Sequence, residues 1–387
     1  MSLEDLCMKI IRSKRKRKMG EIDYGIFYTV ALLLTIGVVM VYSASSYTAM
    51  FTTPNKDSMF FLKKQLVSAI IGVFAMGVAM CFDYHKLKNY TFAIMAVSIP
   101  LLLAVFFFAP VNGAQRWIKL EGASFQPSDL AKYVIVLFLA MSLEAKGEGV
   151  KKFTTGIIPY LVVSGFFAAL VLAEKNLSIA AVIMIVTFIV LFAAGGQMKH
   201  LFGIVAPVIG GIAVIFIIFE PYRLRRLLNF TDPWKSPTGD GYQLIQSFYA
   251  LGSGGITGLG LGQSRQKTLY MPEPHNDFIF AIIGEELGLI GCAFIITLFV
   301  ILIWRGINVA MKARDTYGTL LAIGITSVLA VQSIINIAVV TGSMPVTGVP
   351  LPFISYGGTA LVINMTAVGI LLNISRQIEG KEGLKEK

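Results

Sequence analysis

The chain has 387 residues, of which 56% are hydrophobic and only 14% charged. Soluble domains run at roughly 45–50% and about 25%, so a soluble fold would lack the surface to hide this much apolar area, whereas lipid accommodates it. The net charge of +11 is spread over short loops between apolar spans, which points to membrane orientation and not to nucleic acid: no basic groove or aromatic-interleaved module follows the cations.

The first 23 residues carry the densest basic run, Arg12 to Lys18 (RSKRKRK), just ahead of the first apolar span. A juxtamembrane run of this kind can also hold anionic lipid head groups. The apolar stretch from Ile26 to Met40, followed by Ser43–Ser45, mimics a signal peptide. It is long for one, and many spans follow, so an uncleaved anchor is expected.

A span needs about 20 mostly apolar residues. Candidates are 24–46, 60–82, 90–110, 129–144, 155–173, 176–195, 200–219, 277–304, 318–341 and 353–374. The expected fold is therefore all-α, a polytopic membrane protein of about ten transmembrane helices. Its parts are a basic cytoplasmic segment (1–23), one membrane domain (24–376) and a short charged tail (377–387). With the N-terminus inside, Lys86, Lys88, Lys146, Lys151, Lys152, Lys199, Arg305, Lys312, Arg314 and Arg376 fall on the cytoplasmic side, so both termini are cytoplasmic by the positive-inside rule. One long extracytoplasmic loop, 220–276, holds cations too, but long loops escape that rule. An anionic ligand outside the membrane would explain them. Cys7, Cys81 and Cys292 are odd in number and far apart, which reads as small hydrophobes and not as a disulfide or metal set.

Three polar clusters interrupt the apolar pattern. The first is Gly113-Ala-Gln-Arg-Trp-Ile followed by Gln126-Pro-Ser-Asp-Leu-Ala-Lys132. Asp129 and Lys132 share a helix face and can pair, either as a structural ion pair or as part of a functional site. Arg116 is suited to a phosphate, and Trp117 to a sugar face or the membrane interface.

The second is the long loop, with Trp234, Tyr242, Phe248, Tyr249 and Tyr270, too apolar for a solvated connector. The amphipathic stretch from Tyr242 to Leu251 can lie in the interface. Gly252-Ser-Gly-Gly and Gly258-Leu-Gly-Leu-Gly262 resemble a phosphate loop only superficially, because no βαβ unit or Gly-Lys-Ser/Thr accompanies them. These glycines let backbone approach a ligand or a helix, and N–H groups there, with Arg265 and Lys267, can hold a diphosphate. The loop ends at Asp277, ahead of an apolar helix. Chemistry alone leaves Asp277 equally a helix N-cap or a catalytic base. A helix N-terminus would lower its pKa. Glu285 and Glu286 lie roughly 12–14 Å further along at 1.5 Å per residue, and carboxylates at that depth need a partner or a cavity.

The third cluster runs from Thr341 to Gly358, where Pro345, Pro350 and Pro352 forbid a regular helix. Ser355 can cap the last helix, whose N-terminus would face an outside anion. His85, His200 and His275 are scattered, so no protein metal cage is visible.

The segments NGAQRWI, QPSDLAK, DPWKSPTGDGYQLIQS, GSGGITGLGLGQSRQK, YMPEPHNDFIFAIIGEELGLIG and GVPLPFISYGGTALVINM together resemble the SEDS family of bacterial peptidoglycan synthases, the FtsW/RodA/SpoVE group. VYSAS in the first span and the DPW…GYQ block look more like the division and sporulation branch. The resemblance implies a ten-helix glycosyltransferase that polymerises lipid II on the outer face of the cytoplasmic membrane, working with a class B penicillin-binding protein and other divisome proteins. It carries the essential aspartate onto Asp277 and further functional positions onto Trp117, Asp129 and Lys132. Gln243, in the DPW…GYQ block, and Ser355 join the expected substrate-binding set with Arg116, Arg265 and Lys267. Two departures stand out: Asp129 where most members have Glu, and Asn276 where most have Thr.

The mechanism expected from this likeness makes Asp277 the base for a sugar hydroxyl, or the ligand of a divalent cation (Mg²⁺ or Mn²⁺) that helps the diphosphate leave. Arg116, Lys132, Arg265 and Lys267 would neutralise phosphate. The rival readings are a transporter that flips the lipid-linked precursor and a non-catalytic scaffold that recruits other division proteins.

Overall fold

The computed structural model describes residues 20–378 apart from 54–55, 111–113, 121–122, 220 and 240. The basic run Arg12–Lys18 and most of the charged tail lie outside the described residues. Eight described helices are long and apolar enough to cross a membrane: α1 (Tyr24–Thr52), α2 (Phe60–Cys81), α3 (Tyr84–Phe107), α5 (Phe153–Ala173), α7 (Met198–Ile218), α10 (Ile279–Lys312), α11 (Thr316–Val340) and α12 (Gly358–Arg376). Two more helices lie where the remaining expected spans fall. One is the short apolar α6 (Leu177–Ala193). The other is α4 (Pro127–Lys146), whose charged residues dilute its hydropathy. Helices α8 (Pro221–Thr231) and α9 (Tyr242–Gly254) lie between α7 and α10. The one hairpin among the described residues pairs β1 (Ile118–Leu120) antiparallel to β2 (Ala123–Phe125), with Ile118 opposite Phe125.

Helix starts follow side-chain capping. Asp23 accepts from the Ile26 N–H, Asp83 from His85, Asn176 from Ile179 and Asp315 from Gly318, each satisfying a donor that the first turn leaves orphaned. This fixes the third span at Tyr84, six residues before its apolar stretch begins. The last helix starts at Gly358 and not near 353, because Ser355 bonds elsewhere. Its hydroxyl accepts from the Leu351 N–H at 2.8 Å and ties a turn, while Gly357 precedes the helix with no side-chain cap. Ser355 is therefore not the expected cap.

The centre of the bundle is α4 with α11. α4 packs against α3, α6 and α11, and α11 also against α6, α10 and α12. In α11, 67% of the apolar stretch is buried, against 11% in α7, which stands at the periphery. Apolar contact drives little association inside lipid, so close packing and polar bonds between helices matter more. One such bond joins Tyr133 of α4 to Asn364 of α12 at 2.8 Å, worth roughly 0.6–2 kcal/mol. The Gly20 N–H donates to the Arg376 carbonyl and Asp23 N–H to Ser375 Oγ. The start of α1 thus sits beside the end of α12, as an even number of crossings requires.

Candidate functional site

Asp277 lies in the turn that leads into α10, which begins at Ile279 after an N-cap, Phe278, that makes no side-chain bond. Asp277 is thus no helix cap. Its place is held by Asn336 of α11, 1% exposed, whose amide donates to the carbonyls of Asp277 and Val349, each at 2.7 Å. One side chain therefore joins α11, the Asp277 turn and the proline-rich segment. A Cβ at Gly348 would lie 3.6 Å from Asp277 Oδ2, so that segment runs directly past the carboxylate. Arg226 of α8 donates to the Val346 carbonyl at 3.3 Å.

Burial by this surrounding protein pushes the half-buried Asp277 up to about 6. Its own backbone N–H lowers it, the charge of Glu273 raises it and Arg226 lowers it. The downward shift expected from a helix N-terminus is absent because the helix starts too late to cap it. A carboxylate at about 6 is mostly ionised at neutral pH and still basic enough to accept a proton.

His275 is 3% exposed, with its ring 4.2 Å from that of Phe61 and 5.4 Å from that of Tyr356. Burial pushes it down to about 4, so it is a neutral packing group. Its carbonyl accepts from the Tyr356 N–H. This closes the start of α2, the Asp277 turn and the start of α12 around one another.

The first sequence cluster lies at the same end of the bundle. Asp129 Oδ1 and Lys132 Nζ pair at 2.7 Å, their side chains 3% and 1% exposed. Buried α4 tolerates these charges because they are paired. Arg116 donates from Nη2 to the Lys175 carbonyl, in the linker between α5 and α6. Trp117 is half-buried just before β1. The Ser128 hydroxyl receives the amides of Gln126 and, at 3.5 Å, Asn176. From the first turn of α6 the path continues to Asp277: Ser178 Oγ donates to the Thr347 carbonyl, next to Gly348. The first and third clusters thus meet Asp277 through two adjacent residues of the proline-rich segment.

The glycine-rich part of the long loop folds down along α10. A Cβ on Gly254 would fall 2.0 Å from the Gly284 carbonyl, and one on Gly258, at φ +82°, 2.2 Å from that of Glu286. Only glycine permits this approach. Leu259 and Gly260 N–H groups donate to the Glu285 and Glu286 carbonyls, and α10 is itself interrupted at Gly288, φ 67°. Of the two partners that these glycines could serve, ligand or helix, the structure places the helix.

The carboxylates of Glu285 and Glu286, both 0% exposed, grip the loop. Glu285 accepts from the N–H groups of Arg265 and Gln266 and from Ser264 Oγ. Glu286 accepts from Ser43 Oγ, the Ser264 N–H and, at 2.8 Å, Lys267 Nζ. The backbone donors expected to cradle a diphosphate here are therefore engaged inside the protein, and so is the Lys267 ammonium. The Arg265 side chain is exposed, and Gln243 is half-exposed on α9.

Three residues at this end escaped the sequence reading as site residues: Arg226, Asn336 and Glu174. Arg226 was one cation among several, Asn336 a single amide in an apolar span, and Glu174 one letter of a linker. Only the polar break Glu174-Lys-Asn between two apolar runs marked the last. Among the described residues no three His, Cys, Asp or Glu side chains converge as a metal cage.

A family model described as cell cycle protein, covering FtsW, RodA and SpoVE, matches residues 24–380. A probable peptidoglycan glycosyltransferase FtsW from Geobacter sp. (strain M18) is 42% identical over 94% of this chain and 99% of its own length. Stage V sporulation protein E of Bacillus subtilis (strain 168) is 42% identical over 89% of this chain and 94% of its own. Among solved structures, a chain from a peptidoglycan synthase complex that coordinates polymerization and crosslinking superposes with a TM-score of 0.74 at 26% identity, over 92% of this chain and 98% of that one. The rod shape determining protein RodA of Thermus thermophilus superposes with a TM-score of 0.67 at 24% identity, over 93% and 98%, and shares the fold. These matches run almost end to end, and the chain belongs to the FtsW/RodA/SpoVE family.

Proposed function

We propose that the chain is a peptidoglycan glycosyltransferase that polymerises lipid II into glycan strands at the outer face of the cytoplasmic membrane, during division or sporulation. The observation that carries this reading is the setting of Asp277. It is a single carboxylate at about 6, fixed through its backbone by Asn336, with Arg226 near and the other polar clusters at the same end. Relatives named as peptidoglycan glycosyltransferases support it.

In the proposed step an acceptor sugar hydroxyl attacks the anomeric carbon of the donor. The new C–O bond forms as the bond to the diphosphate breaks, the electron pair leaves with the diphosphate, and the hydroxyl proton goes to Asp277. Cations at this end stabilise the departing charge, with Arg116, Arg226 and Arg265 as the guanidinium groups suited to it. Lys132 acts through its pair with Asp129, and Lys267 holds the loop. Trp117 and Gln243 remain the sugar-facing expectations. In the alternative role, Asp277 would be the residue that holds a divalent cation, Mg²⁺ or Mn²⁺, which would help to neutralise the leaving diphosphate. The partner we propose is a class B penicillin-binding protein that crosslinks the strands, since one structural relative belongs to a complex joining polymerization to crosslinking. Other divisome proteins would bring it to the septum.

The test is purified protein with lipid II in detergent, where no second compartment exists. The parental protein makes long glycan. Asp277→Asn, with an unchanged melting curve, loses a factor on the order of 10²–10⁴. Polymer at the parental rate from Asp277→Asn would sink the assignment.

A further inference from the structure

Glu174, where α5 ends, is completely buried; the Ser128 hydroxyl is the one side-chain donor that acts on its carboxylate, and neither oxygen makes a full hydrogen bond. Among the described residues no other buried carboxylate is left with both oxygens bare. A buried charge without hydrogen bonds is costly, so such a group sheds its charge or finds a partner. Among the described residues the charged groups around it come from three directions. Arg116 approaches from the segment before β1, and Asp129, itself tied to Lys132, from α4. Lys175, on its own linker, is exposed. Neither Ile158–Ala173 nor Leu177–Ala193 carries a charged residue.

Burial pushes Glu174 up to about 8; the Ser128 hydroxyl and Arg116 favour the carboxylate, while Asp129 opposes it. At neutral pH Glu174 is therefore a neutral acid facing a guanidinium that its backbone neighbour, the Lys175 carbonyl, already holds in place. Once ionised, it becomes a charge-assisted acceptor that competes for that guanidinium with any phosphate.

We infer that Glu174 is a positioning residue for Arg116: as the neutral acid it leaves the guanidinium to the substrate's phosphate, and as the carboxylate it draws the guanidinium inward. The inference rests on the polymerase reading above and gives that reaction an alkaline limit separate from the Asp277 carboxylate.

The experiment is the lipid II assay on purified protein between pH 7 and 9, for the parental chain, Glu174→Gln and Arg116→Gln. For the parental protein KM for lipid II rises about tenfold from pH 7 to 9, as expected for loss of one proton near 8, with kcat little changed. Glu174→Gln, which cannot ionise, shows the same KM at pH 9 as at pH 7. A merely structural Glu174 would shift the melting curve without changing the pH profile. Should Glu174→Gln not fold, Arg116→Gln serves alone: its KM is raised at pH 7 and no longer climbs with pH. A parental KM that stays flat, or a Glu174→Gln KM that climbs as the parental one does, overturns the inference while leaving the polymerase reading intact. No polymer from the parental protein at any pH overturns the reading itself, and the inference with it.

Discussion

At the scale of single residues, the proposed role of Asp277 as base ties activity to its protonation state. A base must be ionised to take a proton, and burial has moved this carboxylate from the usual aspartate range up to about 6. The sign follows: activity is full above that value and falls as pH drops through it, toward tenfold per unit once protonation dominates. A pH–rate profile of kcat between pH 5 and 8 checks this, and an acid limb near 4 would place Asp277 in open solvent. Arg226 pulls the same pKa down. Removing its charge in Arg226→Gln should move the acid limb to higher pH, whereas an unmoved limb would mean that the guanidinium does not act on Asp277.

At the scale of elements, the loop between α9 and α10 is held by two buried carboxylates. Lys267→Met leaves Glu286 charged, buried and without its cation, a loss of about 3–5 kcal/mol. Adding Glu286→Gln removes the stranded charge, so the double variant should melt well above the single one in detergent. If both melt alike, the pair at 2.8 Å contributes little to stability. Gly258→Ala should also fail to fold normally, because its Cβ would strike the Glu286 carbonyl at 2.2 Å in a backbone conformation that alanine resists. A parental melting temperature for that variant would mean the loop is not seated on α10. These elements also mark what the sequence could and could not disclose. Hydropathy located the spans because lipid imposes length and apolarity on each one separately. Caps moved the third span back to Tyr84. The path of the glycine loop was not legible, because close approach to a helix and to a ligand both call for glycine. Ser355 was misread because a hydroxyl four residues beyond Leu351 can close a turn as well as cap a helix. Glu174 showed only as part of a polar break between two apolar runs, because its neighbours Arg116 and Ser128 lie far away in the chain.

At the scale of the whole molecule, the short connections between helices carry the orientation signal. Lys151 and Lys152 follow α4, Lys199 begins α7, Lys312 ends α10 and Arg376 ends α12, all at the end opposite Asp277. With the long loop left aside, since it escapes the rule, that end carries more of the described cations than the Asp277 end, the distribution expected if it faces the cytoplasm and Asp277 faces outward. This orientation is required by the proposed chemistry, since strands must be made where the wall is. It can be tested without any activity. In a background lacking native cysteines, Lys235→Cys lies in the long loop at the Asp277 end and Lys151→Cys at the other; both parent side chains are exposed, 76% and 54%. A membrane-impermeant maleimide added to intact protoplasts should label Lys235→Cys and spare Lys151→Cys until the membrane is opened. The reverse pattern would put Asp277 in the cytoplasm, where a carboxylate base could not extend a strand outside, and would leave transport of the precursor as the reading that the buried charges support.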